Sequence, residues 1–163
     1  MTASTPLLPS AVAHLAPLLG EWSGTGHGTY PTVDPFDYDE TVCFEHVGKP
    51  FLAYRQRTRL VPSGEPSHAE AGYLRPAGPT GVELVLAQPS GVVEVDEGTV
   101  ATTDGGLRLV LRSMLVGLTT TAKEVTAVER TLTVEGDVLR TTVAMAAVGR
   151  PLTPHLVAEL RRR

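Results

Sequence analysis

The sequence predicts an all-β protein: a closed antiparallel up-and-down β-barrel of about ten strands, with a short helix at each end. Three observations carry this expectation. From Gly20 to Ala147, apolar and polar residues alternate in short runs, the two-residue period of a strand with one buried face. Turn chemistry separates the runs, at Gly48-Lys49-Pro50, Pro62-Ser63-Gly64, Pro76-Ala77-Gly78-Pro79, Pro89-Ser90-Gly91, Asp104-Gly105-Gly106 and Glu135-Gly136-Asp137. The connections are also too short to hold helices. A consecutive strand series of this kind usually closes on itself, because closure removes exposed sheet edges.

In chain order, residues 1–9 read as a flexible N-terminal segment and 10–163 as one barrel domain. Residues 10–19 carry Val12, Leu15, Leu18 and Leu19 at helix-like spacing, with Ser10 as N-cap and Gly20 as the stop. Strands are expected at 21–30, 38–47, 51–61, 69–75, 82–88, 92–101, 107–115, 123–134 and 138–147. The stretch 115–121 is less regular and leaves the count at nine or ten. The last segment, 153–163, returns to helical spacing, with Leu152, Leu156 and Leu160 recurring every fourth residue. Thr153 suits an N-cap and Pro154 the first helical position, which puts His155 in the first turn of a C-terminal helix. Arg161, Arg162 and Arg163 then complement the end of that helix dipole. A barrel of this size can enclose a small-ligand cavity.

Composition removes several function classes. The 163 residues are 42% hydrophobic and 20% charged, enough apolar mass for a packed core. A net charge of −4 argues against nucleic acid as partner, since phosphate binding needs a clustered positive field. Cys43 is the only cysteine, so there is no intrachain disulfide and no cysteine-based zinc site. The opening residues lack a basic region and are broken by Pro6, Pro9 and Pro17, unlike a signal peptide. No run approaches the roughly 20 apolar residues of a membrane helix. The expectation is a cytoplasmic protein with no membrane partner.

Local motifs narrow the field further. Gly24, Gly26 and Gly28 do not form a phosphate loop, because Tyr30-Pro31 follows where a helix should open. They read instead as bending or close backbone approach within a strand. HExxH, GxSxG, CxxC and EF-hand signatures are absent. Asp34, Asp37, Asp39 and Glu40 read as a solvated loop, and Glu94, Asp96 and Glu97 as strand residues that face both ways and fit solvent better than a metal.

Five histidines occur, His14, His27, His46, His68 and His155, and none pairs with another at metal-ligand spacing. His155 stands beside an apolar stripe directly after the last of the nine expected strands. A single neutral imidazole there suits haem iron, leaving the opposite face open. An ordinary surface or buried histidine is the alternative, and residue chemistry alone does not choose between them. Strand alternation places Gln88 inward with Leu84 and Leu86, and Met145 inward with Leu139 and Val143. His68 opens its segment near the cavity without being expected to bind metal. Arg55, Arg57 and Arg59 alternate with Leu52, Tyr54 and Leu60 and so face outward.

One motif reaches further. Gly20, Trp22, Gly24 and Gly26 spell GxWxGxG, which continues as HGTYPT. With "FEHVGKPFLAYRQRTR", "HAEAGYLRP", "ELVLAQPSG", "TAKEVTAVER" and "VGRPLTPHL" in the same order, the chain resembles the nitrobindin family over about residues 14 to 160. That family consists of haem-binding barrels related in shape to fatty-acid-binding proteins. The resemblance implies one haem b per chain, mainly ferric, with His155 as axial ligand of the catalytic iron and Thr32 and Lys123 at the haem site. The Lys123 ammonium is a sensible partner for a propionate. The implied activity is isomerisation of peroxynitrite to nitrate, with reversible binding of nitric oxide. Two rivals stand beside it: a non-enzymatic carrier of a small hydrophobic ligand, and a haem-based nitric oxide sensor or store. A homodimer is left open.

Overall fold

In the computed structural model, which describes residues 6–163, the alternating runs become ten antiparallel strands. They are β1 (Gly20–Tyr30), β2 (Val33–Glu45), β3 (Leu52–Val61), β4 (Pro66–Ala77), β5 (Gly81–Ala87), β6 (Val92–Thr103), β7 (Gly106–Leu118), β8 (Val125–Glu135), β9 (Val138–Ala147) and β10 (Thr153–Arg162). Each pairs with its neighbour in sequence, and β1 pairs with β10 to close the barrel. Of the expected flexible segment 1–9, residues 1–5 lie outside the described residues.

The tenth strand is the expected C-terminal helix. A spacing of four residues is also an even number, so Leu156 and Leu160 share one face of a strand as readily as one face of a helix. Tertiary pairing decides between them: β10 fills the gap between β1 and β9, with Leu156 opposite Gly28 and Leu160 opposite Gly24. The irregular stretch around 115–121 supplies no extra strand; its first residues end β7. Lys123, expected at a strand start, lies two residues before β8.

The N-terminal helix, Ser10–Leu18, is a 3₁₀ helix capped by Pro9 rather than Ser10. Val12, Leu15 and Leu18 are spaced by three, which stacks them on one face of a three-residue turn, and all three are buried. They close one end of the barrel against Trp22, Phe44, Leu52, Leu107, Leu139 and Leu160. The Trp22 indole N–H donates to the Leu18 carbonyl at 2.8 Å. Arg162 stacks its guanidinium 4.1 Å from the Trp22 ring and donates to the carbonyls of Leu19 and Pro17. The terminal arginines are thus strand residues, and Arg162 satisfies the last carbonyls of a different helix.

The glycines of β1 are sites of close approach. Gly26 faces Tyr38 and Gly28 faces Phe36 across the β1–β2 pair. A Cβ at either position would collide with the opposing ring. Both rings therefore lie flat over the strand, which brings Phe36 towards β10.

Candidate functional site

The end of the barrel opposite the 3₁₀ helix holds a cavity of about 890 Å³. Its rim is built from the connections after β1, β3, β5, β7 and β9. His155, Thr32, Lys123, Gln88, Met145 and His68 all line it.

His155 reaches the cavity through an irregularity. Ala158 and Leu160 are buried while Val157 and Glu159 are exposed, so unbroken alternation would turn residue 155 outward. In the β9 pairing, Pro154 faces Ala144 and the next pair is Leu156 with Val143, leaving His155 without a partner. Such a bulge re-aims a side chain, and it also accommodates a proline that cannot donate to the ladder. The His155 Nδ1 lies 3.0 Å from the Thr29 carbonyl oxygen. A carbonyl only accepts, so Nδ1 carries the proton and donates, and in the neutral ring Nε2 keeps a bare lone pair. Tyr30 and Phe36 pack edge-on against the ring, with centroids 5.2 and 6.4 Å away. The Tyr30 hydroxyl accepts from the Ala147 N–H at 3.0 Å and donates to the Met145 carbonyl at 3.1 Å. Backbone, imidazole and tyrosine therefore brace one another.

The turn that leads into β10 is strained. Val148 takes a φ of 47°, a left-handed conformation that a β-branched residue seldom adopts. Glu124 holds it: its carbonyl accepts from the Val148 N–H at 3.1 Å and its carboxylate from the Gly149 N–H at 2.9 Å. Lys123 precedes this anchor, exposed on the rim, and Thr32 is exposed in the turn after β1. Met145 faces Thr153 across β9 and β10. Gln88 sits past the end of β5, which is five strands from β10 in a ring of ten and so stands across the cup from His155. The motif residues Gly20, Trp22, Gly24 and Gly26 do not line the cavity; Trp22 belongs to the closed end.

Below the rim lies a polar layer that the sequence reading missed. Arg130 donates from Nη1 to Glu70 Oε1 at 2.9 Å and from Nη2 to Glu94 Oε1 at 2.9 Å. Its Nε is 3.4 Å from Asp96 Oδ2. The Tyr54 hydroxyl donates to Glu70 Oε1 at 2.6 Å, and His68 Nε2 lies 3.2 Å from Glu70 Oε2. Gln88 donates to Glu94 Oε1 at 2.6 Å, and Gln56 to Glu40 Oε1 at 3.1 Å. Glu94 and Asp96 are 1% and 0% exposed, so their expected solvent-facing role is overturned, as is the solvated loop assigned to Glu40. Parity carried the missing signal. Glu94 and Asp96 are in step with buried Val92 and Val100, and Glu40 with Tyr38 and Val42.

Burial sets the charge of this layer. Desolvation lifts the Glu40 carboxyl to about 7, against the lowering effect of Gln56. Desolvation, aided by Glu94, lifts Asp96 to about 7 as well. Desolvation would also raise Glu70, but Arg130, His68 and Tyr54 outweigh it and hold that carboxyl down at about 2. The surrounding carboxylates outweigh burial for Arg130 and keep it charged. Among the described residues, no group of three or more His, Cys, Asp or Glu side chains is arranged to hold a metal ion.

Comparison with known proteins adds independent findings. The family model described as the THAP4-like, heme-binding beta-barrel domain matches residues 11–162. The chain is 53% identical over 151 residues to the peroxynitrite isomerase of Nocardia farcinica, covering 93% of this chain and 90% of that protein. It is 54% identical over 159 residues to peroxynitrite isomerase 2 of Mycobacterium avium, covering 98% of each. The crystal structure of Rv2717c from M. tuberculosis superposes with a TM-score of 0.94 at 50% identity, over 96% of this chain and 99% of that one.

Proposed function

The chain belongs to the THAP4-like, heme-binding β-barrel family, and from that premise we propose that its cup takes one haem b, mainly ferric, on the Nε2 of His155, and that the loaded protein is a peroxynitrite isomerase. The observation that carries the reading is the hydrogen bond that commits Nδ1 and leaves Nε2 available to a metal. The ring is locked by the Thr29 carbonyl at 3.0 Å and braced by Tyr30 and Phe36, beside a cavity of about 890 Å³. A hydrogen-bonded second nitrogen raises imidazole basicity and fixes its orientation towards a metal. When bound, the haem iron supplies the conversion of peroxynitrite to nitrate and the reversible binding of nitric oxide.

The chain's own residues supply the rest. Lys123, exposed on the rim, neutralises a propionate, and Thr32 offers its hydroxyl at the same edge. Met145, Val143 and Leu156 give the macrocycle an apolar wall. Gln88 is held by Glu94 on the wall facing His155, where it can orient a small ligand or water. No side chain is assigned as general acid or base for the isomerisation. Among the described residues no helix is long and apolar enough to cross a membrane, and we assign the protein to the cytoplasm. Tyr73, Val85, Val93 and Leu115 form an exposed apolar face on β4 to β7, which we assign to homodimer contact.

A carrier of anionic lipids has less support than haem, because the buried inward cation, Arg130, is committed to Glu70 and Glu94. A sensor or store differs from an enzyme only in turnover. Rapid-mixing decay of peroxynitrite with haemin-loaded protein, with nitrate yield measured, separates the two. Acceleration that scales with loaded protein is expected. Decay no faster than with the haemin-free chain would leave a sensor.

A further inference from the structure

The polar layer contains a pair of groups for which the haem site has no use. Glu40 on β2 and Gln56 on β3 both line the cavity and are 7% and 6% exposed. The Gln56 Nε2 donates to Glu40 Oε1 at 3.1 Å. That bond leaves Glu40 Oε2 and Gln56 Oε1 buried with no partner. Buried polar atoms in folded proteins are nearly always paired. With Glu40 ionised both orphans are acceptors, so the occupant that pairs them must donate.

Charge and shape narrow its class. Four carboxyls, from Glu40, Glu70, Glu94 and Asp96, surround one guanidinium, and Arg130 spends its Nη groups on Glu70 and Glu94. An anion at the Glu40–Gln56 pair would meet the two unpaired acceptor oxygens and the neighbouring carboxylates. Phe44 and Tyr54, with ring centroids 5.1 Å apart, line the same cavity with Tyr38. Aromatic faces attract organic cations. A bare metal ion is disfavoured, since no suitable ligand group exists among the described residues.

We propose that Glu40 and Gln56 form a second binding site at the foot of the cup, taking a small primary ammonium ion whose N–H groups donate to Glu40 Oε2 and Gln56 Oε1. The site stands apart from His155. Glu40 lies four residues along β2 from Phe36, the ring packed on His155, which is roughly 13 Å at about 3.3 Å per residue. The inference therefore does not rest on haem. Ionisation of Glu40 governs affinity, with Gln56, Glu70, His68, Tyr38 and Arg130 as the groups that act on it.

Calorimetric titration of the full chain with n-propylammonium chloride tests this, with n-propanol as the neutral control of similar shape. At about pH 8, saturable one-to-one binding of the ammonium and none of the alcohol is expected. Affinity should fall about tenfold or more in Glu40→Gln, and likewise in the unchanged chain at about pH 6, where Glu40 is largely protonated. The pH comparison keeps the test decisive if the variant does not fold. His155→Ala should bind propylammonium as the unchanged chain does, which separates this site from the haem reading. Absence of saturable binding, equal binding of propanol, or an affinity indifferent to both Glu40→Gln and pH would overturn the proposal and leave the pair to ordered water.

Discussion

The two ends of this barrel are built by the same ten strands and differ in what those strands point inward. At the closed end, Leu52, Leu107, Leu139 and Leu160 interdigitate beneath the 3₁₀ helix, with Trp22 as keystone. At the open end the inward positions carry Glu40, Gln56, Glu70, Glu94 and Arg130, and above them the space is hollow. Large apolar side chains can interdigitate with few voids, and at the closed end they are fully buried. Charged side chains cannot collapse that way, because each must keep its partners. The polar layer thus acts as a floor: it stops the apolar core from growing upward and leaves a cup. An up-and-down barrel separates stability from function by height.

The comparison can be broken most severely at Arg130. Arg130→Leu strands Glu70 and Glu94 as buried carboxylates without a counter-charge, and should cost about 3–5 kcal/mol in denaturant unfolding. Replacing Arg130, Glu70 and Glu94 together by apolar residues should recover most of that loss, since apolar substitutes for a buried ion cluster are often neutral or better. A triple variant as unstable as the single one would show that the layer does more than hold space. At the closed end, fully buried Leu107→Ala should cost about 2–5 kcal/mol while leaving haemin affinity unchanged.

Acidity distinguishes the ends next. Burial holds the Glu40 and Asp96 carboxyls up at about 7, well above the ordinary carboxylate range. Their folded forms hold protons that the unfolded chain releases, so this contribution is fully present below about pH 4 and is lost as pH rises through about 7. Glu70 works in reverse: it is held at about 2, and its contribution is lost as pH falls from about 4.5 through about 2. Unfolding free energy measured by urea titration should therefore fall by on the order of a few kcal/mol between about pH 5 and 7.5, and Glu40→Gln should flatten that slope. A stability that rises over this range would contradict the charge assignment. The smallest effect is at the rim. Lys123→Ala should weaken haemin binding by less than about fivefold in a spectrophotometric titration, because an exposed ion pair is screened.

Much of the lower half was legible in the sequence, and the upper half less so. Nine strands follow from period-two alternation and from Gly/Pro turns, since both signals are local. The tenth fits a helix as well, because Leu156 and Leu160 suit either period, and only pairing with β1 and β9 settles the matter. The 3₁₀ character of Ser10–Leu18 was present in the threefold spacing of Val12, Leu15 and Leu18. His155 was singled out by its place in the chain and by family resemblance; no parity rule reaches it, because a bulge turns it inward. Inward Gln88 and Met145 followed from alternation. The buried acids did not, because composition favoured solvent for Glu94 and Asp96 while parity with Val92 and Val100 pointed inside. Arg130, the partner that makes their burial tolerable, shares parity with buried Val128 and Val134, but its pairing with acids on other strands is beyond any local pattern.

The most direct test of the central claim is a haemin titration of His155→Ala followed at the Soret band, with far-UV circular dichroism as the folding control and imidazole added as a replacement ligand. The expected result is an unchanged dichroism spectrum, loss of stoichiometric haemin binding, and its partial return with imidazole. A Soret band and stoichiometry matching the unchanged chain, without imidazole, would show that the iron is held by some other residue.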